Sequence, residues 1–102
     1  MIKTFGNQEL KLFFVTKGKA HVKCVPSELG RITYHKLLMI DQAKKSQDLR
    51  IIKGNHLEKL TSGKYTGYHS VRISRQYRLL FVWNKSSSDA YEVEINKHDK
   101  NY

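Results

Sequence analysis

The stretch "HSVRISRQYRLLFVW", residues 69–83, decides the fold. In its first half Val71 and Ile73 share one face and polar residues surround them, which is the period of two of a half-buried strand. The second half, "QYRLLFVW" at 76–83, is a more continuous apolar run and predicts a central strand. A turn at 74–76 joins the halves into an antiparallel hairpin.

Shorter strands flank this hairpin on both sides. "HLEKLTS", 56–62, predicts a short strand ending near Gly63, and "DAYEVEI", 89–95, alternates with Tyr91, Val93 and Ile95 inward. The spacing predicts an antiparallel meander with loops near 63–67, 74–76 and 84–89. Phe81, Trp83 and Tyr91 are expected in the core, and His69 on the open face beside Arg72.

The N-terminal half has the period of helices. Residues 1–5 can form a short strand, and "NQELKLFFVTKG", 7–18, has helical spacing with Asn7 as N-cap and Gly18 as a stop. A second helix begins at Pro26 or Ser27 and ends near Ala43. Lys36 lies within its apolar stripe, so we expect its ammonium to extend outwards to water. The predicted stripe is Leu29, Ile32, Thr33, Leu37, Met39, Ile40 and Ala43. Helices followed by strands predict an α+β fold, with the helices packed on one face of the sheet.

The chain length and cysteine content indicate an intracellular protein. The 102 residues allow one domain, 1–102, with one modest core. Cys24 is the only cysteine, so it has no partner for an internal disulfide, which fits a reducing cytoplasm. No signal peptide is visible, and the longest apolar run, "LLFVW" at 79–83, is far too short to span a bilayer. The sequence predicts a soluble cytoplasmic protein with no membrane partner.

The charge balance favours a polyanionic partner. Lys and Arg number 19 and Asp and Glu number 9, which gives a formal net charge of +10. Such an excess on a small domain is typical of proteins that bind nucleic acid, an acidic protein or an anionic surface. The alternative is a basic protein whose charge serves only solubility.

Arg78 is a candidate phosphate ligand. It lies between Tyr77 and Leu79 in the apolar strand, where a cation must leave the sheet on the open face or find an anion. The planar guanidinium can hold two phosphate oxygens at once. The alternative is a surface arginine, or a salt bridge to Glu92 or Glu94 on a neighbouring strand.

His98 is the histidine with the most suggestive neighbours. It can take or give a proton near neutral pH, and Lys97, Asp99 and Tyr102 lie close to it in sequence. The alternative is a solvated histidine in a C-terminal tail. The histidines have no spacing diagnostic of a metal site, and no cofactor motif occurs, so we expect neither metal nor cofactor.

Several segments together resemble the HigB-type toxins of bacterial toxin–antitoxin modules, within the RelE/ParE superfamily. The start "MIKTFGNQELKLFF", the segment "DLRIIKGNHLEKL" and the last strand "DAYEVEI" are similar to the family at the corresponding places. "HSVRISRQYRLLFVW" is similar to its central hairpin, usually S-I-R-basic-x-W-R-hydrophobic. The resemblance covers nearly the whole chain. It implies a RelE-like fold of two N-terminal helices packed on a curved antiparallel β-sheet.

The resemblance also implies an activity and partners. HigB-type toxins are metal-independent, ribosome-dependent mRNA endonucleases, or mRNA interferases, so the implied partners are mRNA on the ribosome, with rRNA contacts, and a cognate HigA-like helix-turn-helix antitoxin. Two alternatives stay open. One is a ParE-like toxin that acts on gyrase without cutting RNA, and the other is a domain that only binds a repressor antitoxin.

The resemblance assigns roles residue by residue. Arg78 matches the arginine that the family holds after the hairpin turn, and is expected to bind phosphate and stabilise the transition state. The family ends just after its last strand with catalytic groups, which points to His98 as acid or base with Asp99 orienting it. The family often has a lysine where this chain has Ser62, and Lys59 or Lys64 is expected to replace its charge. The expected RNA-binding residues are Lys59, Lys64, Arg72, Arg75, Lys97 and Tyr102.

Overall fold

The computed structural model describes residues 1–52 and 54–97, and its strands form one antiparallel sheet in the order β1-β2-β3-β4. Three α-helices precede the strands in the described chain, so the α+β class is confirmed. The elements are α1 (Gln8–Val15), α2 (Gly30–Gln42), α3 (Gln47–Arg50), β1 (Glu58–Lys59), β2 (His69–Arg72), β3 (Tyr77–Asn84) and β4 (Asp89–Lys97). The short α3 was not predicted from the sequence.

Helix α1 begins and ends at residues with local hydrogen-bonding roles. The Asn7 side chain accepts hydrogen bonds from the backbone N–H groups of Glu9 and Leu10, at 2.8 and 3.4 Å, so the predicted N-cap is confirmed. The helix ends at Val15, a few residues before Gly18. Gly18 has φ +81°, and its N–H closes the helix end on the carbonyl of Phe13 at 2.8 Å.

Helix α2 follows a short 3₁₀ turn, Ser27–Leu29, and packs most of the predicted stripe inward. Thr33, Leu37, Ile40 and Ala43 are buried, but Ile32 is 39% exposed and was wrongly placed in the stripe. The expectation that Lys36 extends its ammonium outwards is also wrong. Lys36 is buried, and its Nζ donates to the Oδ1 of Asn55. An internal amide acceptor therefore takes the place of water for this ammonium.

The core lies between the helices and one face of the sheet. We call this face the helix-facing side. Its cluster of buried residues includes Leu10, Phe13, Leu37, Ile40, Val71, Leu79, Phe81 and Val93. Phe81 is fully buried as predicted, whereas Trp83 and Tyr91 are only half-buried. Trp83 is near the end of β3 and packs at the margin of the core. Tyr91 pairs with Val82 beyond a register shift, so it lies on the opposite face of the sheet from Phe81, and its expected inward position is wrong.

The N-terminus extends the sheet beyond β4. Ile2 and Phe5 form isolated parallel bridges with Ala90 and Val93, which confirms extended chain near the predicted first strand. The N–H of Lys3 donates to the carbonyl of Ala90 at 2.8 Å, so this segment covers much of the outer edge of β4. Among the described residues, no helix is both long enough and apolar enough to cross a bilayer.

Candidate functional site

The face of the sheet opposite the helices carries polar side chains, and we call it the open face. Register places Arg72 directly opposite Arg78, and Arg78 opposite Asn96. In the next row, Ser70, Leu80 and Glu94 are aligned, and Glu58 of β1 pairs with Ser70. Side chains of directly opposed residues share a face. The open face thus brings cations and carboxylates together on neighbouring strands.

Arg78 has an incomplete set of partners on this face. Its Nη2 donates to the backbone carbonyl of His56 at 3.0 Å, and its Nη1 lies 3.5 Å from the Oε1 of Glu58. That ion pair is longer than a good charged hydrogen bond, and the buried Nε has no partner among the described residues. The predicted alternative of a salt bridge was right in kind, but the carboxylate belongs to Glu58 and not to Glu92 or Glu94. The side chain is 13% exposed, while that of Glu58 is 53% exposed, so Glu58 can turn away to water.

Arg72 is held by the segment that precedes β1. Its Nε donates to the carbonyl of Ser74 at 3.3 Å, and its Nη1 lies 3.4 Å from the Nε2 of His56. Its backbone N–H donates to the carbonyl of Asn55 at 2.7 Å. Asn55 is fully buried and also donates from Nδ2 to the carbonyl of Leu49 at 3.0 Å. The buried pair of Asn55 and Lys36 therefore fixes the chain that presents His56 to both arginines.

Tyr65 crosses from the β1–β2 loop to β4. Its hydroxyl donates to the Oε1 of Glu94 at 2.6 Å and accepts from the Nδ2 of Asn96 at 3.3 Å. The hydrogen bond to Glu94 is the main cause that raises the pKa of Tyr65. Its ring meets Tyr68 edge-on at 5.2 Å between centroids. These contacts fasten the loop over the open face and keep the phenol protonated.

The remaining predicted RNA-binding residues lie at different places around this face. Arg75 is exposed in the β2–β3 turn, and the ammonium of Lys64 lies 5.4 Å from the centroid of the Tyr65 ring. Lys59 and Lys97 are exposed but pair with His69 and Tyr77, so register directs them to the helix-facing side. The predicted residues His98, Asp99 and Tyr102 lie outside the described residues.

His69 does not lie beside Arg72 on the open face, and that expectation is wrong. The two positions are three apart in one strand, so the period of two sends their side chains to opposite faces. His69 stacks on Phe81 on the helix-facing side, with 5.8 Å between centroids. Burial, and secondarily Lys59 and Arg50, lower the pKa of His69, which favours the neutral ring near pH 7.

Sequence reasoning missed Glu58 and the backbone of His56. Both lie in "GNHLEKL", 54–60, which was predicted as part of a short strand and of a segment similar to the family, with no site role for either residue. The alternation of His56 and Glu58 could have indicated that both residues lie on one face of the predicted strand. Placing that face beside Arg78 required the register of β1 against β2. His56 has φ +45°, a left-handed conformation that turns its carbonyl toward Arg78 and that no local pattern predicts.

The open face has the chemistry of an anion site. Two arginines lie opposite each other, and a carboxylate is near enough to Arg78 to move a proton at a bound group. Within residues 1–52 and 54–97, no group of three His, Cys, Asp or Glu side chains is arranged to hold a metal ion. The cations that the described open face offers to a phosphate include the guanidinium groups of Arg72 and Arg78.

Comparisons with known proteins show which family the chain belongs to. The sequence model of the HigB-like toxin family, whose members are RelE-like toxins of type II toxin–antitoxin systems, matches residues 3–98. Toxin HigB-1 of Vibrio cholerae is 39% identical over 83 residues, which cover 81% of this chain and 84% of that protein. An uncharacterized protein of Haemophilus influenzae is 32% identical over 88 residues, covering 86% of this chain and 83% of that protein.

A solved structure supports the fold. The YoeB–YefM complex from Staphylococcus aureus superimposes with a TM-score of 0.52 at 17% identity and covers 97% of each chain. The identity is too low to say more than that the folds are alike. The family match over nearly the whole chain decides the assignment. The chain belongs to the HigB family of RelE-like toxins of type II toxin–antitoxin systems.

Proposed function

We propose that this protein is a ribosome-dependent mRNA endonuclease that uses no metal ion. The observation that carries the proposal is the state of Arg78: one hydrogen bond, a long ion pair and an unpartnered Nε on the polar face of the sheet. A guanidinium so placed is available to a phosphate, which would replace the exposed Glu58 carboxylate with two closer oxygens. Membership of the HigB family supports the same conclusion.

The proposed reaction is an internal transfer at phosphorus. The 2′-oxygen of a ribose attacks the adjacent phosphate, and the bond from phosphorus to the 5′-oxygen breaks. A base takes the 2′-hydroxyl proton, and an acid gives a proton to the 5′-oxygen, leaving a 2′,3′-cyclic phosphate and a 5′-hydroxyl end. Arg78 stabilises the extra negative charge on the phosphoryl oxygens in the transition state.

Two places can supply the proton-transfer groups. His98, as acid or base with Asp99 orienting it, remains the proposal drawn from the C-terminal sequence, and Lys97 and Tyr102 are the second choices there. Glu58 is a further candidate base, because its carboxylate lies 3.5 Å from Arg78 and is half-exposed. A phosphate held by Arg78 would bring its neighbouring 2′-hydroxyl close to that carboxylate.

The substrate and the partner follow from charge and family. Arg72 faces the same side as Arg78, and Lys64 and Arg75 are exposed in the loops before and after β2, where they can hold the mRNA backbone. Lys59 and Lys97 extend the basic surface around the sheet edges toward rRNA. The proposed regulator is a HigA-like helix-turn-helix antitoxin that binds and silences the toxin. An antitoxin partner is supported by the family and by the complex in which the similar Staphylococcus structure was solved.

The test is a map of mRNA 5′ ends after brief induction of the toxin without antitoxin. We expect new 5′ ends within translated regions for the wild type and their loss for Arg78→Gln. The matched control is Arg31→Gln, which removes the same charge from an exposed position on α2 and should leave the new ends in place. A His98→Ala variant tests the C-terminal proposal in the same experiment.

Other results would identify the alternatives. Growth arrest with intact mRNA and an SOS response would show that the protein is a ParE-like gyrase poison and not an endonuclease. Harmless overexpression together with operator binding in the antitoxin complex would leave only a binding role.

A further inference from the structure

A second basic concavity lies on the helix-facing side, away from Arg78. It has a volume of about 430 Å³, which suits a small ligand such as a nucleotide. Its lining comes from four segments of the chain, which contribute Ser46, Arg50, Lys59, His69, Trp83 and Lys85. We call it the Trp83 pocket. The endonuclease proposal uses none of Arg50, His69, Trp83 or Lys85.

The charges of the Trp83 pocket are of one sign. Arg50 ends α3, Lys59 belongs to β1, and Lys85 follows β3, so three elements direct cations to one place. All three residues are exposed, and the described residues include no ion pair to any of them. Since the described residues place no carboxylate in the lining of the pocket, the arrangement repels cations and attracts an anion.

The rings of the pocket add a second kind of recognition. Trp83 is half-buried and meets Phe81 edge-on at 6.4 Å, and Phe81 in turn stacks on His69 at 5.8 Å. The Nδ1 of His69 is buried and has no hydrogen-bond partner within residues 1–52 and 54–97, so these residues leave this side of the ring unused. An aromatic surface beside several cations is the combination that binds a base together with its phosphate.

We propose that the Trp83 pocket binds one nucleotide of single-stranded RNA, with its phosphate between Arg50, Lys59 and Lys85 and its base against Trp83. An acidic protein segment would use the cations but would have no need of the flat aromatic wall, so RNA is the better match. The contact is separate from cleavage, because register places Lys59, His69 and Trp83 on the face opposite Arg78. It gives the toxin a hold on RNA that does not depend on the scissile phosphate.

Trp83 makes a direct test possible, because it is the only tryptophan of the chain. The probe is a short 2′-O-methyl oligoadenylate, in which the methyl group blocks attack by the 2′-oxygen. We expect it to quench the Trp83 fluorescence saturably in the wild type and equally in Arg78→Gln. Quenching that survives in Arg78→Gln separates this pocket from the proposed active site.

Charge variants test the phosphate contacts. Arg50→Gln with Lys85→Gln should weaken binding about tenfold and lower the slope of log K against log salt by about 1.4, as expected for two lost phosphate contacts on a single strand. The control is Lys19→Gln with Lys23→Gln, which removes the same charge from exposed positions outside the pocket and should change the slope little. Lys59→Gln alone should lower the slope by about half as much, and it serves if the double variant folds poorly.

Three results would overturn the proposal. One is binding of the oligoadenylate with no change in Trp83 fluorescence. Another is equal affinity and salt slope for the double variant and its control, with both proteins folded. The third is quenching by an oligoglutamate peptide at the same or a lower concentration, which would assign the pocket to an acidic protein partner.

Discussion

The two faces of strand β3 have opposite surroundings. Leu79 and Phe81 are fully buried in one cluster with Leu37 and Ile40 of α2. Arg78, next to Leu79, lies on the other face with a long ion pair and an unpartnered Nε. Packing satisfies Leu79 and Phe81 on the helix-facing side, while the open face leaves Arg78 incompletely paired. Groups that the fold does not satisfy are the ones available to a substrate.

The largest expected effect comes from the packed face. Leu79→Ala removes a fully buried side chain from the core and should lower the free energy of unfolding by roughly 2–5 kcal/mol, measured by urea denaturation. The control is Leu12→Ala at a position that is 50% exposed, where the loss should stay below about 1 kcal/mol. Equal losses for the two variants would mean that Leu79 of β3 contributes no more to stability than an exposed leucine does.

The next effect tests the open face alone. If Glu58 is the base, Glu58→Gln should slow mRNA cleavage by about 10²-fold, because the amide cannot take the 2′-hydroxyl proton. Thermal unfolding should change little, since the side chain is 53% exposed. Glu28→Gln, an exposed position before α2, is the matched control and should cleave normally. Full activity of Glu58→Gln would mean that Glu58 is not the base, and the C-terminal residues would be the remaining candidates.

Lys36 is the exception on the packed side, since it is a buried cation with an amide partner. Burial lowers its pKa below the ordinary lysine value of 10.5. The unfolded chain therefore binds more protons than the folded chain between the two pKa values, so stability rises with pH in that window. The slope from this one group is at most about 1.4 kcal/mol per pH unit.

Lys36→Met isolates that contribution. Urea unfolding between neutral pH and about pH 10 should show a smaller rise in stability for the variant than for the wild type. Lys44→Met, at an exposed lysine, should follow the wild-type curve. Identical pH dependence in Lys36→Met and the wild type would mean that the Lys36 ammonium is solvated, as the sequence alone had suggested.

Hydrophobic periodicity and capping residues predicted the helices and strands that local sequence determines. The period of two located β2 and β4, a continuous apolar run located β3, and helical spacing with Asn7 located α1. The predictions that failed concern side chains whose positions depend on contacts with residues distant in sequence. The position of Lys36 depends on Asn55, which is 19 residues away, and the ion pair of Arg78 depends on the register of β1. The reduced burial of Tyr91 follows from the register shift in the β3–β4 pair, which no alternation of residues reveals.

The candidate site was predicted in part for the same reason. Arg78 was found because a cation inside an apolar strand stands out in any sequence. Its carbonyl partner, His56, was missed because a positive φ on a non-glycine residue leaves no sequence signal. The roles of His98, Asp99 and Tyr102 remain predictions from the sequence.

One measurement tests the separation of function from folding most directly. Purified Arg78→Gln is assayed for cleavage of mRNA on translating ribosomes, and the same sample is unfolded in urea. We expect cleavage to fall by roughly 10²–10³-fold, while the free energy of unfolding falls by no more than about 1.5 kcal/mol, the value of a hydrogen bond such as that to His56. A folded Arg78→Gln protein that cleaves at the wild-type rate would contradict it.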